Sequence, residues 1–174
     1  MIVPFPDRSF PPYSYVPGKF PHPIGNPAGH SFNQVPDHYL PLTRENYQTH
    51  AEYQWGIELF NHGYYWEAHE FWEQVWHACG CKGTTADYLK GLIKLAAAGV
   101  KTREGRREGV IRHASRGAEL MRDVKTSVGG GDDAPFGLSI EALLKIADQI
   151  TAHPEPFLNT SDAAVVRTLP ALRA

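Results

Sequence analysis

A chain of 174 residues, 42% hydrophobic and 21% charged, is long enough to bury a core without disulfides or a structural metal. Disorder over most of its length is excluded, and one domain is the expectation. Its 17 basic residues against 19 acidic ones leave a formal charge of −2, which argues against nucleic acid as a partner, because such binding draws its affinity from neutralised phosphates. The longest apolar run, Leu92 to Val100, is interrupted by Lys94 and falls far short of the roughly 20 residues that span a bilayer, so no membrane helix is expected.

The stretch from Met1 to Arg8 has neither the basic nor the apolar region of an export signal, and a cytoplasmic location is expected. Cys79 and Cys81 flank a single glycine, a spacing too tight for an easy disulfide, and are read as free thiols. The first 42 residues form an arm with prolines at 4, 6, 11, 12, 17, 21, 23, 27, 36 and 41, interleaved with Phe5, Phe10, Tyr13, Tyr15, Phe20 and Phe32. Proline removes backbone donors and forbids helix, so the arm should be extended. Its many aromatic rings are expected to lie in grooves of the folded body.

Helical periodicity starts after Pro41. Thr43 is the expected N-cap of a first helix carrying Tyr47, Ala51, Trp55 and Leu59 and stopping at Gly63. A second runs from Tyr65 to Cys79, ended by Gly80. The third begins at Thr84 or Thr85, with Thr84 and Asp87 as a weak capping box and Leu89, Leu92, Ile93, Ala96 and Val100 on one face. The fourth covers Arg106 to Lys125, with Val110, Ala114, Gly117, Met121 and Val124 inward, before a Gly129–Gly131 loop. A fifth, from Ser139 to Ala152, buries Leu143, Ala147 and Ile150 and ends before Pro154. No segment alternates like a strand. The expected fold is all-α, an array of about five antiparallel helices over residues 43–153, followed by an extension over 154–174 in which the apolar run Ala163 to Val166 is the expected docking point.

On the second helix, stepping 100° per residue from Tyr65 puts Ala68, Trp72, Val75, Trp76 and Cys79 on the core face. Trp66, Glu70, Glu73 and His77 fall on another stripe, with His69 at its border. Two carboxylates and two imidazoles on one surface are costly to bury without partners, which should come from Lys90, Lys94 and Lys101 on the third helix and Arg112 and His113 on the fourth.

Several readings compete for that surface. In one, His69 and Glu73 bind a divalent metal, zinc or manganese, and Glu70 is the catalytic base that takes a proton from water. The motif is His-Glu-x-x-Glu, not the zinc-protease His-Glu-x-x-His, so a further ligand is sought from His62, His77 or His113. In the second, the acids make structural hydrogen bonds and ion pairs, and His69 fills a satisfied core position. In the third, a pocket takes a small anionic ligand, with Trp76, Lys94 and His113 as its binding residues. A non-enzymatic alternative is a helical scaffold whose groove takes an extended segment, the arm being its resident occupant. Self-association into a homo-oligomer stays open.

The run from Phe60 to Trp76, FNHGYYWEAHEFWEQVW, followed by LKGLIKLAAA from Leu89 to Ala98, resembles domain-of-unknown-function family 309. The resemblance covers about residues 52 to 124. It implies a small all-helical fold and no established activity, although a metal-dependent hydrolase is sometimes suggested for the family. His69, Glu70, Glu73 and Trp76 are the positions that match its characteristic residues.

Overall fold

Five α-helices emerge in the computed structural model, which describes residues 8–34, 38–129 and 133–173: α1 (Ala51–Asn61), α2 (Tyr65–Ala78), α3 (Thr84–Glu104), α4 (Arg107–Ser127) and α5 (Ile140–Ala152). A 3-10 turn follows at Glu155–Phe157, and no strand occurs among the described residues. The all-α array expected from periodicity is what forms. None of the helices is long and apolar enough to cross a membrane, among the described residues.

Helix ends follow local chemistry where a special residue is available. The N–H groups of Gly63 and Tyr64 donate to the carbonyls of Phe60 and Leu59, a double closure that needs the left-handed φ of +90° at Gly63. Gly80, at φ +74°, ends α2 in the same way, its N–H and that of Cys81 donating to the carbonyls of His77 and Trp76. Ser139 caps α5 by accepting the Ala142 N–H at 3.1 Å.

One expected start and one expected cap are corrected. Helix α1 begins at Ala51 and not after Thr43, because residues 44–49 form turns. The Thr43 hydroxyl accepts from the N–H groups of Glu45 and Asn46, a local bond that competes with helix, and the His50 imidazole caps α1 instead by accepting from Tyr53. At α3 the N-cap is Gly83 with no side-chain cap bond, so Thr84 and Asp87 form no capping box. Of the loop at Gly129–Gly131, only Gly129 lies among the described residues.

Helix α3 is the central element, packed on α2 and on α4, while α4 packs on α5 and α1 on α2. Its buried Leu89, Leu92, Leu95 and Ala96 meet Trp72 and Tyr65 of α2 and Val110, Ala114 and Met121 of α4. Glycines permit the tightest approaches: a Cβ on Gly99 would stand 2.4 Å from Tyr65 Cγ.

The arm lies on α1 and α2 but is rich in turns between Pro17 and Asn33. Phe10 stacks on Trp55 and Tyr64 at 5.1 and 5.2 Å while staying 39% exposed, so its ring covers the body without being buried by it. Val16 is buried, and Ser14 N–H donates to the Ala164 carbonyl at 2.9 Å, tying the arm to the carboxyl-terminal segment. Pro4, Pro6, Phe5 and Pro36 lie outside the described residues. The carboxyl-terminal segment docks at Ala163 to Val166, where Val165 packs on the core and the Ala163 carbonyl accepts from Arg103 at 2.9 Å, and also through Leu169 and Leu172, because the Tyr65 hydroxyl accepts the N–H groups of Thr168 and Leu169 and Asn61 brackets Leu172.

Candidate functional site

The glycine stop at Gly63 sets the phase of α2. With Tyr65, Ala68, Trp72 and Val75 buried, the opposite side of the helix turns His69, Glu70 and Glu73 outward at partial exposure. One ligand atom from each of these three residues falls within 4.8 Å of the others. His69 Nδ1 lies 3.3 Å from Glu70 Oε1, and His69 Nε2 lies 3.9 Å from Glu73 Oε2. Neither contact is an aligned hydrogen bond, and Nδ1 is a buried atom with no hydrogen-bond partner among the described residues. An imidazole carries one proton when neutral, so at least one nitrogen turns a lone pair toward a carboxylate unless a proton or cation intervenes.

Of the five expected partners, Lys90 of α3 reaches the acids, while Lys101 pairs with Glu104 of its own helix. Lys90 Nζ stands 4.0 Å from Glu73 Oε1 and 4.0 Å from the centroid of the Trp76 ring, so Trp76 holds a cation on its face. Burial pushes the Lys94 ammonium below its usual range, with the charges of Lys90 and Arg116 adding to the effect. Burial, then the charges of Lys94, Arg112, Lys101 and His69, lower His113 from 6.5 to about 4. Lys94 and His113 are thus electrostatic neighbours, and His113 also feels His69, whereas Trp76 is held to Lys90. The other imidazoles considered as ligands lie elsewhere: His62 bonds the Glu58 carbonyl, and the exposed His77 contacts Cys81 Sγ at 3.5 Å. Trp76 and Cys79, expected in the core, are only partly buried; burial and the Cys81 charge raise the Cys79 thiol above its usual value, a Leu42 backbone bond opposing them.

His113 has a measurable consequence. Its pKa is 6.5 unfolded and about 4 folded, so across that window the unfolded chain takes up a proton that the folded chain refuses. Stability is fully present above the unfolded value and is lost as pH falls toward the folded one. His113→Asn is expected to flatten the loss between pH 6.5 and 4 by about 1–2 kcal/mol, discounted for solvent screening at a half-buried site, as read from urea unfolding at several pH values.

A third face of α2 escaped the sequence reading. Glu67, only 4% exposed, accepts from Ser14 Oγ at 3.0 Å, Tyr15 N at 2.9 Å and His30 Nε2 at 3.1 Å. A carboxylate offers only acceptors, so Nε2 carries the His30 proton. His30 Nδ1 lies 2.9 Å from the Ser31 hydroxyl, accepting from it in the neutral ring and donating to it in the imidazolium. The signal was faint: Phe71 and Gln74 share the angular stripe of Glu67, and an apolar ring beside an acid on an outward face marks a surface that something covers.

Between this face, α1 and the arm lies a cavity of about 530 Å³, whose wall includes His30, Ser31, Trp55, Trp66, Glu67, Glu70 and Phe71. Glu70 thus belongs both to the trio and to the cavity. Trp76, Lys94 and His113 do not line it.

No curated protein matches this chain. The resemblance carried by the run from Phe60 is matched over a shorter span than residues 52 to 124: residues 53–113, from α1 into the first turns of α4 and including His69, Glu70 and Glu73, match the model of the family described as a domain of unknown function, DUF309.

Proposed function

We propose that the outer face of α2 is a divalent-cation site with hydrolytic chemistry, in which His69 and Glu73 hold zinc or manganese and Glu70 takes the proton from a metal-activated water. The observation that carries this reading is the convergence of an imidazole and two carboxylates within 4.8 Å, both imidazole nitrogens facing acid oxygens without an aligned hydrogen bond. Such a mixed nitrogen and oxygen set suits zinc or manganese, and a bound cation would replace repulsion between lone pairs by coordination. Glu70 supports the assignment of a base because it also faces the cavity, where a substrate has room beside the ion. Lys90 opposes the reading by already offering Glu73 a charge, at a distance where water screens much of the attraction.

Thermal unfolding with zinc or manganese tests it. At a hundredfold excess over Kd, a site present only in the folded chain stabilises by about 2.7 kcal/mol. For a chain of this length that is a rise in Tm of roughly 5–10 °C. Glu73→Gln and His69→Ala should each abolish the shift. Purified protein that holds no metal by elemental analysis and shows no shift would remove the reading and leave the trio as a solvated surface.

A further inference from the structure

The cavity between the arm and α2 has a composition that selects its ligand. Its volume, about 530 Å³, lies within the range of small-molecule sites. Two acceptor groups, the Ser31 hydroxyl and the Glu70 carboxylate, face it from the arm and from α2. His30 Nε2 donates to Glu67, and Ser31 Oγ, beside His30 Nδ1, keeps at least one lone pair for an incoming group in either state of the ring. Glu70, partly exposed, adds two carboxylate oxygens. Facing these acids are aromatic rings, and one cation of the chain already uses them: Arg8 Cζ lies 5.5 Å from the Phe71 centroid and 6.0 Å from that of Trp55, with its charge paired to Glu52 at 3.0 Å.

The geometry points to a binding site for a compact planar organic cation, an amidinium, guanidinium or protonated arylamine, with its ring against Phe71 and its charged head on Glu70 and Ser31. An anion of the same shape would meet the Glu67 and Glu70 carboxylates in a confined space, where repulsion is far stronger than in water, while Arg8, which also lines the cavity, has its charge paired to Glu52. The inference goes beyond the metal reading and does not depend on it. Glu70 is common to both, whereas Glu73 belongs to the trio alone.

Isothermal titration of the full chain with benzamidine, in the presence of a chelator, is the test, with benzoate as the probe of equal shape and opposite charge. Saturable binding of benzamidine and none of benzoate is expected. Glu70→Gln and Phe71→Ala should each weaken binding about tenfold, the loss of one charged or stacked contact, while Glu73→Gln leaves it unchanged. Glu70 is partly exposed, so its variant reports binding even if Phe71→Ala folds poorly. Absence of saturation, equal binding of benzoate, or indifference to Glu70→Gln would overturn the proposal. Because no metal is present in the titration, its outcome is separate from that of the metal-binding experiment.

Discussion

Gly99→Ala should lower the stability of this protein by about 3 kcal/mol, the upper end of the cost of overpacking a core. The added Cβ would stand 2.4 Å from Tyr65 Cγ and 2.7 and 2.8 Å from its two Cδ atoms, so the whole ring is struck near its root. That ring cannot swing aside. It is 1% exposed, meets the Phe60 ring edge-on at 5.1 Å, and its hydroxyl accepts two backbone N–H groups at 2.8 Å. Displacing it would therefore loosen the carboxyl-terminal segment as well as separate α2 from α3. The expected readouts are a fall in Tm of roughly 6–12 °C and faster amide exchange at Thr168 and Leu169. A variant within 1 kcal/mol of the parent, with those amides still protected, would show that the α2–α3 contact is more pliant than the packing implies.

Glu67→Ala should cost about 3–5 kcal/mol, because it strands the donors that the carboxylate satisfies while removing one partner of a buried pair. Ser14, Tyr15 and His30 all lose their acceptor, and each of the three belongs to the arm. The loss should thus be local before it is global: protease should cut between Ser14 and Gln34 well before the helices unfold. His30→Ala, which removes one donor and leaves the acid two others, should loosen the arm less. Comparison of cleavage rates with far-ultraviolet circular dichroism separates the two events. An arm as resistant in Glu67→Ala as in the parent would mean that Phe10 and Val16 hold it without the acid.

What could be read from the residues divides by range. The extents of α2 and α5 and the stop at Gly63 were legible because an apolar repeat, a capping serine and a left-handed glycine each act within one or two turns of chain. The error at Thr43 has the same scale: one hydroxyl can cap a helix or close an isolated turn, and the competing local bonds at Glu45 and Asn46 are invisible in the residue type. Burial of Glu67 was illegible for a different reason. Its partners stand 37 to 53 residues away in a segment of prolines and turns, which has no period from which a facing side could be inferred.

The candidate site shows the same division. That His69, Glu70 and Glu73 share one outward surface follows from the turn of a helix alone, since Glu73 stands four positions from His69 and three from Glu70, the spacings that meet on a helix. That Lys90 caps this surface, that Trp76 carries a cation, and that Glu70 also borders a cavity roofed by the arm were decided by how separate elements pack. A helix dictates the relative directions of its own side chains through a backbone only a few bonds long. What those side chains meet depends on the closing of long stretches of intervening chain, and local residue chemistry carries no record of that.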